Sequence, residues 1–235
     1  MPVLPGLSPF QPITSDVLKD VVGKNMQNPS VASIATYLTS DYAITWQPIY
    51  DRVEYPQAGT TNLQFFSNVR GTSATLITGG ATATRIKNFR DTNLDQAGFM
   101  SMKGFIMVAL GISYIPLGYG TVSTSALNYC DDMQRLAYGG YLELDFIDMP
   151  YLRIGLDNIG DKDKTPAVMA STANNAIMFV AGGLGKNPFD IDPVYFIAPQ
   201  ENFSCFATLD GTALNIGSVL DVKLTLYGYQ IRPAQ

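Results

Sequence analysis

The sequence predicts an all-β fold, a single jelly-roll β-sandwich preceded by an extended N-terminal arm and short helices. Three observations favour this class. From residue 42 onward, short apolar runs show strand-like spacing. Connections rich in Gly, Pro and Asn separate these runs. No helical segment alternates with them as a parallel βαβ sheet requires. We expect residues 1–41 to form the arm and helices, and residues 42–235 to form the sandwich with about eight to ten strands.

The N-terminal segment is predicted to be an extended arm because it contains four regularly spaced prolines, Pro2, Pro5, Pro9 and Pro12. Such spacing forbids a helix and favours a polyproline-like conformation. Apolar residues between the prolines predict that the arm lies along this domain or a neighbouring copy; a disordered tail is the alternative. Capping signals at Thr14 and Asn28 predict two short amphipathic helices after it. We expect neither a secretory signal nor a membrane span.

The best-marked strand is predicted over Phe105 to Ile115, a nearly unbroken apolar run that Pro116 ends. The run is about half the length that a membrane-crossing helix needs. Its many β-branched and aromatic residues favour a strand buried on both faces at the centre of a sheet. A buried helix is the alternative, because periodicity alone does not separate the two.

Other strands follow from local patterns. Residues 72–78 and 81–86 flank Gly79-Gly80 and predict a hairpin. Residues 140–147 alternate, which places Glu143 and Asp145 on the face opposite Leu142 and Leu144. Further strands are expected at 43–48, 61–67, 149–156, 176–181, 193–198, 202–209 and 219–231, with an irregularity or bulge at Gly228 in the last. Residues 123–129 are ambiguous, and 157–166 are predicted to be a loop.

The composition favours a protein that contacts other protein. Charged residues make up 15% of the chain, against roughly 25% in ordinary soluble domains. A surface poor in charge favours assembly, although a compact β protein with a Ser-, Thr- and Asn-rich surface is the alternative. The net charge of −5 argues against nucleic-acid binding, which needs clustered Lys and Arg. We expect Arg85, Lys87 and Arg90 to be a small solvated patch at a strand end, and Cys130 and Cys205 to be free, mostly buried thiols.

No catalytic, metal or cofactor site is predicted. The chain has no histidine, which excludes Ser-His-Asp and Cys-His sites and histidine-ligated metals. Residues 182–187 (GGLGKN) lack the first Gly and the final Ser or Thr of a phosphate loop. Glu143 and Asp145 could serve glycoside hydrolysis, but we favour a solvated or contact face. The acidic groups at 131–132, 157/161/163 and 190/192 could meet calcium, but none has EF-hand spacing.

Several phrases, read in order, resemble a known family. They are NLQFF (62–66), TNLDQAG (92–98), KGFIMV (103–108), YLEL (141–144), NPF (187–189), PQENF (199–203) and LTLYG (224–228). Together they resemble the major capsid proteins of tailless icosahedral phages with an internal membrane, whose jelly rolls stand upright on the shell. The likeness covers about residues 60–235 and not the arm.

The resemblance implies a viral major capsid subunit, not an enzyme. It would assemble into an icosahedral shell through its sandwich flanks and N-terminal arm. Its partners would be many copies of itself in trimeric or hexameric capsomers, other capsid proteins and an internal membrane, without specific nucleic-acid binding. The protein would be made in the host cytoplasm and be located in the virion. The alternative is a carbohydrate-binding or adhesin-type sandwich, for which Tyr119, Tyr138 and Tyr141 are the candidate exposed aromatics.

Overall fold

The computed structural model describes residues 42–78, 81–98, 104–116, 126–147, 149–160, 188–199, 201–209 and 219–233. These residues form eleven strands and one α-helix. The strands are β1 (Tyr42–Trp46), β2 (Ile49–Tyr55), β3 (Asn62–Phe65), β4 (Ser73–Thr78), β5 (Ala81–Ile86), β6 (Gly104–Pro116), β7 (Gly140–Phe146), β8 (Met149–Gly155), β9 (Phe189–Ile197), β10 (Phe203–Leu209) and β11 (Leu220–Pro233). The helix, α1, is Ala126–Tyr138, and a 3-10 turn covers Leu156–Asn158.

Two antiparallel sheets form the body of the described fold. The first has the order β1-β11-β6-β9, and β2 also pairs with β11. β1 pairs with residues 229–233 of β11 and β2 with residues 220–226. β1 and β2 therefore follow one another along the same side of β11. The second sheet has the order β3-β10-β7-β8, while β4 and β5 form a separate two-stranded hairpin. A fold made of antiparallel sheets confirms the all-β prediction.

The two sheets and α1 share one apolar cluster. Leu142, Leu144 and Phe146 of β7 are buried, and the residues between them are more exposed. This confirms the alternation predicted for that strand. α1 contributes Met133, Leu136 and Ala137 to the same cluster, at the i, i+3, i+4 spacing of one helix face.

β6 confirms the prediction of a central strand. It lies between β11 and β9, and both alternating sets of its side chains are buried, Phe105 and Met107 as well as Ile106 and Val108. The helical alternative is therefore wrong.

The register of β11 is irregular at Gly228, as the sequence predicts. The register between β11 and β6 shifts between Tyr227 and Gly228. A Cβ atom at Gly228 would lie 1.9 Å from the carbonyl oxygen of Ile106. The strands thus approach too closely here for any side chain, which explains why the strand pattern breaks at a glycine.

Four features of the described fold differ from the sequence predictions. Residues 126–129 of the ambiguous segment belong to α1, which ends at Tyr138. β2 was not anticipated, because its sequence IYDRVEY contains three charged residues. β9 begins at Phe189, four residues before the predicted strand, and eleven strands exceed the eight to ten expected. The arm, the N-terminal helices and the strand at 176–181 lie outside the described residues. No helix among those described is long and apolar enough to span a membrane.

Candidate functional site

The β4–β5 hairpin lies outside both sheets and is the most distinctive addition to the sandwich. Its six residue pairs run from Ser73 opposite Ile86 to Thr78 opposite Ala81. Leu76 and Ile77 of β4 are buried, whereas β5 is exposed except for the partly buried Arg85. Its backbone ladder joins only its own two strands. Side chains must therefore fix the hairpin to the body.

Arg52 of β2 and Asp221 of β11 supply the first attachment. The N–H of Ile77 donates to Asp221 Oδ2 at 2.9 Å, and Arg52 Nη2 donates to the carbonyl oxygen of Ile77 at 2.9 Å. Arg52 Nε also donates to Asp221 Oδ2 at 2.7 Å. The Arg52–Asp221 ion pair thus forms hydrogen bonds with both the N–H and the C=O of Ile77, as the backbone of a neighbouring strand would do. Burial raises the pKa of Asp221, and the positive charge of Arg52 opposes that rise.

Lys87, directly after β5, supplies the second attachment. Its Nζ lies 2.6 Å from Asp51 Oδ1, and both side chains have no solvent exposure. Lys87 Nζ also donates to the carbonyl oxygen of Asn68 at 3.1 Å, and the N–H of Phe66 donates to Asp51 Oδ2 at 2.7 Å. Burial raises the pKa of the Asp51 carboxyl, and the charge and hydrogen bond of Lys87 oppose this.

Phe66 has a backbone conformation that its residue type rarely adopts. Its φ is 61°, and such a conformation costs on the order of 1–3 kcal/mol for a residue other than glycine. The Phe66 side chain is buried and packs edge-on against Phe203 with the ring centroids 5.4 Å apart. The packed ring and the hydrogen bond to Asp51 together stabilise this conformation.

Asp91 joins the end of the hairpin to the loop that follows it. Arg85 donates to both of its oxygens at 2.6 Å, and the N–H of Asn88 donates to Oδ2 at 3.0 Å. Arg52 Nη1 lies 3.8 Å from Asp91 Oδ1. Burial disfavours the charged carboxylate, but the hydrogen bonds from Arg85 and Asn88 outweigh it, so the pKa of Asp91 is lowered.

We call six side chains at the base of the hairpin the anchor network. Arg85, Asp91, Arg52 and Asp221 are linked in one chain of ion pairs, and Lys87 with Asp51 is a separate pair on the other face of β2. Three carboxylates meet three cations, so their formal charges cancel. Removing charges from water is costly, and close opposite partners offset that cost. The network can fix the position of the hairpin, and each of its carboxylates already contacts a cation. The prediction of a solvated patch at Arg85, Lys87 and Arg90 is therefore wrong for buried Lys87 and partly buried Arg85.

The carboxylates considered for glycoside hydrolysis lie together on the face of β7 that points away from the core. Glu143 pairs with Arg153, its neighbour in β8, at 2.5 Å. Asp145 accepts a hydrogen bond from Ser204 of β10 at 3.4 Å. The alternation correctly placed both residues on one face, where Glu143 forms a cross-strand ion pair.

The other candidate residues are dispersed among the described elements. Asp132 of α1 is buried near Arg135, at 3.9 Å, while Asp190 of β9 is exposed and Asp157 belongs to the 3-10 turn. No group of three His, Cys, Asp or Glu residues in the described ranges could bind a metal ion. Asp161, Asp163, residues 182–187 and Tyr119 lie outside those ranges.

Cys205 is free and buried, as expected, and burial raises the pKa of its thiol. The side chain of Cys130 lies outside the described part of the chain.

Besides Trp46, which is 38% exposed, large apolar side chains are exposed at three places on the described surface. Ile86 and Phe89 are 64% and 63% exposed beside the hairpin, and the guanidinium of Arg70 lies 4.0 Å above the Phe89 ring. Ile147 and Met149 are exposed at the β7–β8 turn. Tyr138 and Tyr141 are exposed where α1 meets β7. Grouped apolar side chains on a surface are candidates for protein or ligand contacts.

The chain matches no protein-family model, no curated protein and no solved structure. Its function is therefore argued from the strand order, the hairpin and the exposed side chains.

Proposed function

We propose that the sandwich is a jelly roll and that the protein is a viral major capsid subunit. The observation that carries this proposal is the strand order. β1 and β2 count as one interrupted strand, because both pair with β11 on the same side. With the β4–β5 hairpin treated as an insertion, eight strands remain, and their antiparallel pairs are nested. The first pairs with the eighth, the second with the seventh, the third with the sixth and the fourth with the fifth.

Nested pairing of this kind is what results when one long antiparallel hairpin folds over into two sheets. The remaining pairs, β11 with β6 and β10 with β7, join the halves of each sheet. Eight strands in two sheets with this winding are typical of jelly rolls, which occur in viral capsid and lectin domains.

The capsid proposal is further supported by composition and by the resemblance. A coat subunit needs broad contact surfaces and no reactive groups, and this chain is poor in charge and lacks histidine. Some of the phrases that resemble capsid proteins lie in strands: NLQFF covers β3, and LTLYG lies within β11. The subunit would assemble with many copies of itself in trimeric or hexameric capsomers of a virion shell.

Electron microscopy of the purified full chain, with and without residues 1–13, tests this proposal. We expect the full chain to form shells or capsomers, and the deletion to remain folded but to assemble poorly, because the arm ties copies together. A chain with residues 1–13 in scrambled order is the matched control for length and composition. A full chain that is monomeric at high concentration, and that the deletion does not alter, would refute the capsid function.

A carbohydrate-binding or adhesin module is the second candidate. Tyr138 and Tyr141 favour it, because both are exposed, at 73% and 36%, and lie three residues apart. Aromatic rings on a surface offer apolar faces to ligands. A glycan array should then give binding that Tyr138→Ala weakens, and an array with no binding would eliminate this candidate.

A further inference from the structure

The outer edge of β5 has backbone groups that no strand of the described fold covers. β5 pairs with β4 alone. Thr78 and Ala81 form the pair that closes the two-residue connection, so they are the hydrogen-bonded pair of the hairpin. Such pairs alternate with non-hydrogen-bonded ones along an antiparallel ladder. The N–H and C=O groups of Thr82 and Thr84 therefore point away from β4.

The side chains agree with this assignment. The Oγ1 atoms of Thr75 and Thr84 are 3.0 Å apart. Side chains of a non-hydrogen-bonded pair approach each other more closely than those of a hydrogen-bonded pair. Thr84 thus lies at a position whose backbone groups face outward.

β5 lacks the features that protect the edges of three other strands in this protein, β3, β8 and β9. Folded proteins protect edges with short strands, prolines and charged side chains. β3 has only four residues, β8 contains Pro150 and the exposed Arg153, and β9 contains Asp190 and Pro193. β5, with the sequence ATATRI, has no proline and no lysine. Its side chains are small and β-compatible, which suits strand pairing.

The single charge of β5 does not protect the edge, because Arg85 is already bound. Its guanidinium donates to both oxygens of Asp91 and to the hydroxyl of Thr78. The anchor network also fixes β4 to β2 and β11 through Ile77. The edge of β5 is therefore pre-positioned, which lowers the entropy cost of binding.

We infer that β5 pairs antiparallel with β5 of a second copy of this chain, and so joins two sandwiches across the hairpin. The inference rests on the proposed function, since it names one contact through which copies assemble. When two β5 strands pair antiparallel, the outward N–H and C=O groups of both Thr82 and Thr84 can form hydrogen bonds in two registers. One register places Arg85 opposite Ala83 of the other copy, and the other places it opposite Ala81. No like charges meet in either register, so the strand is complementary to itself. Ile86 and the nearby Phe89 add exposed apolar surface beside it.

The decisive comparison is Thr84→Pro against Thr84→Val in the full chain. Both variants lose the hydroxyl that contacts Thr75, but only the proline removes the outward N–H group. Proline is tolerated where an edge N–H faces solvent, so the hairpin should remain folded. Because a symmetric pair loses two hydrogen bonds, we expect Thr84→Pro to weaken association about tenfold or more. Thr84→Val should associate like the original chain, as measured by sedimentation velocity over a concentration series.

A second pair of variants does not depend on proline. Thr82→Lys places a charge on the free edge and should weaken association. Thr75→Lys places the same charge on β4, the strand that the bonds of Ile77 hold against the body, and should have little effect. Circular dichroism spectra matching the original chain would show that each variant is folded.

The outcomes separate this inference from the capsid proposal. Shells or capsomers that Thr84→Pro and Thr82→Lys leave intact would overturn the β5 contact and leave the capsid function standing. A dimer that both variants abolish, without any larger assembly of the original chain, would support the β5 contact and count against a capsid. A chain that stays monomeric at all concentrations would overturn both.

Discussion

Replacing Lys87 by methionine tests the anchor network most directly. Methionine resembles the lysine side chain in length and volume but has no charge. The Asp51 carboxylate would keep the hydrogen bond from the Phe66 N–H and lose the cation that lies 2.6 Å away. Because Asp51 has no solvent exposure, water could not replace that cation without opening the structure.

The expected loss is large because both partners are buried. Removing one member of a buried ion pair typically costs about 3–5 kcal/mol. For a chain of this size, one kcal/mol corresponds to roughly 2–4 °C in melting temperature, so we expect a decrease of roughly 6–20 °C. Burial favours the protonated form of an unpaired Asp51, so its folded pKa would exceed its unfolded pKa. The deficit should therefore be greatest at neutral pH and shrink as the pH falls.

The assay is urea denaturation, with unfolding monitored by the fluorescence of Trp46. Trp46 is the single tryptophan, and its ring packs edge-on against Tyr229 at 4.8 Å between centroids. The double variant Asp51→Asn with Lys87→Met should recover most of the loss, because the buried charge is gone and an acceptor for Phe66 remains. Arg153→Met, which breaks an exposed ion pair, should scarcely change the midpoint. Equal stabilities of Lys87→Met and the original chain would refute the argument, as would a double variant no better than the single one.

Two further predictions concern buried polar groups. The pKa of Asp91 in the folded protein is lowered from its ordinary value of 3.8. The stability that its charged form contributes is therefore complete above pH 3.8 and is lost as the pH falls through the lower pKa of the folded state. Asp91→Asn should then destabilise the protein at pH 7 in urea denaturation, by a margin that shrinks below pH 3.8; a margin constant with pH would contradict this. The Tyr114 hydroxyl is buried without a hydrogen-bond partner among the described residues. Tyr114→Phe should be neutral or stabilising by up to about 1–3 kcal/mol in thermal denaturation, and a clear loss of stability would show that the hydroxyl has a partner.

Features that depend on neighbouring residues could be predicted from the sequence. The hairpin β4–β5 follows from two β-rich runs around Gly79-Gly80, and the two faces of β7 follow from strict alternation. β6 follows from a long apolar run. α1 was missed because the ambiguous segment ended at residue 129, before its buried residues Met133 and Leu136. Each successful prediction rests on a pattern contained within about fifteen residues.

The anchor network could not be found in this way. Arg52 and Asp221 are 169 positions apart in the chain, and neither lies in a charge motif. A charged trio in IYDRVEY reads as a solvated segment when its partners are unknown, and this is why β2 was missed. The signal that could have indicated a buried charge cluster was the grouping of Asp51, Arg52 and Glu54 in a chain that has few charged residues.

The sequence by itself determined that this protein is built of strands, where its central strand and the irregularity of its last strand lie, and that it lacks the histidine used by common catalytic sites. These properties are local, because they depend on side-chain spacing and on residue types. The tertiary structure alone decided which strands are neighbours, and thereby that Asp51, Lys87 and Asp221 are buried and that no other described strand pairs with the outer edge of β5. Pairing between distant strands is set by the burial of the whole core, so no single stretch of sequence contains it.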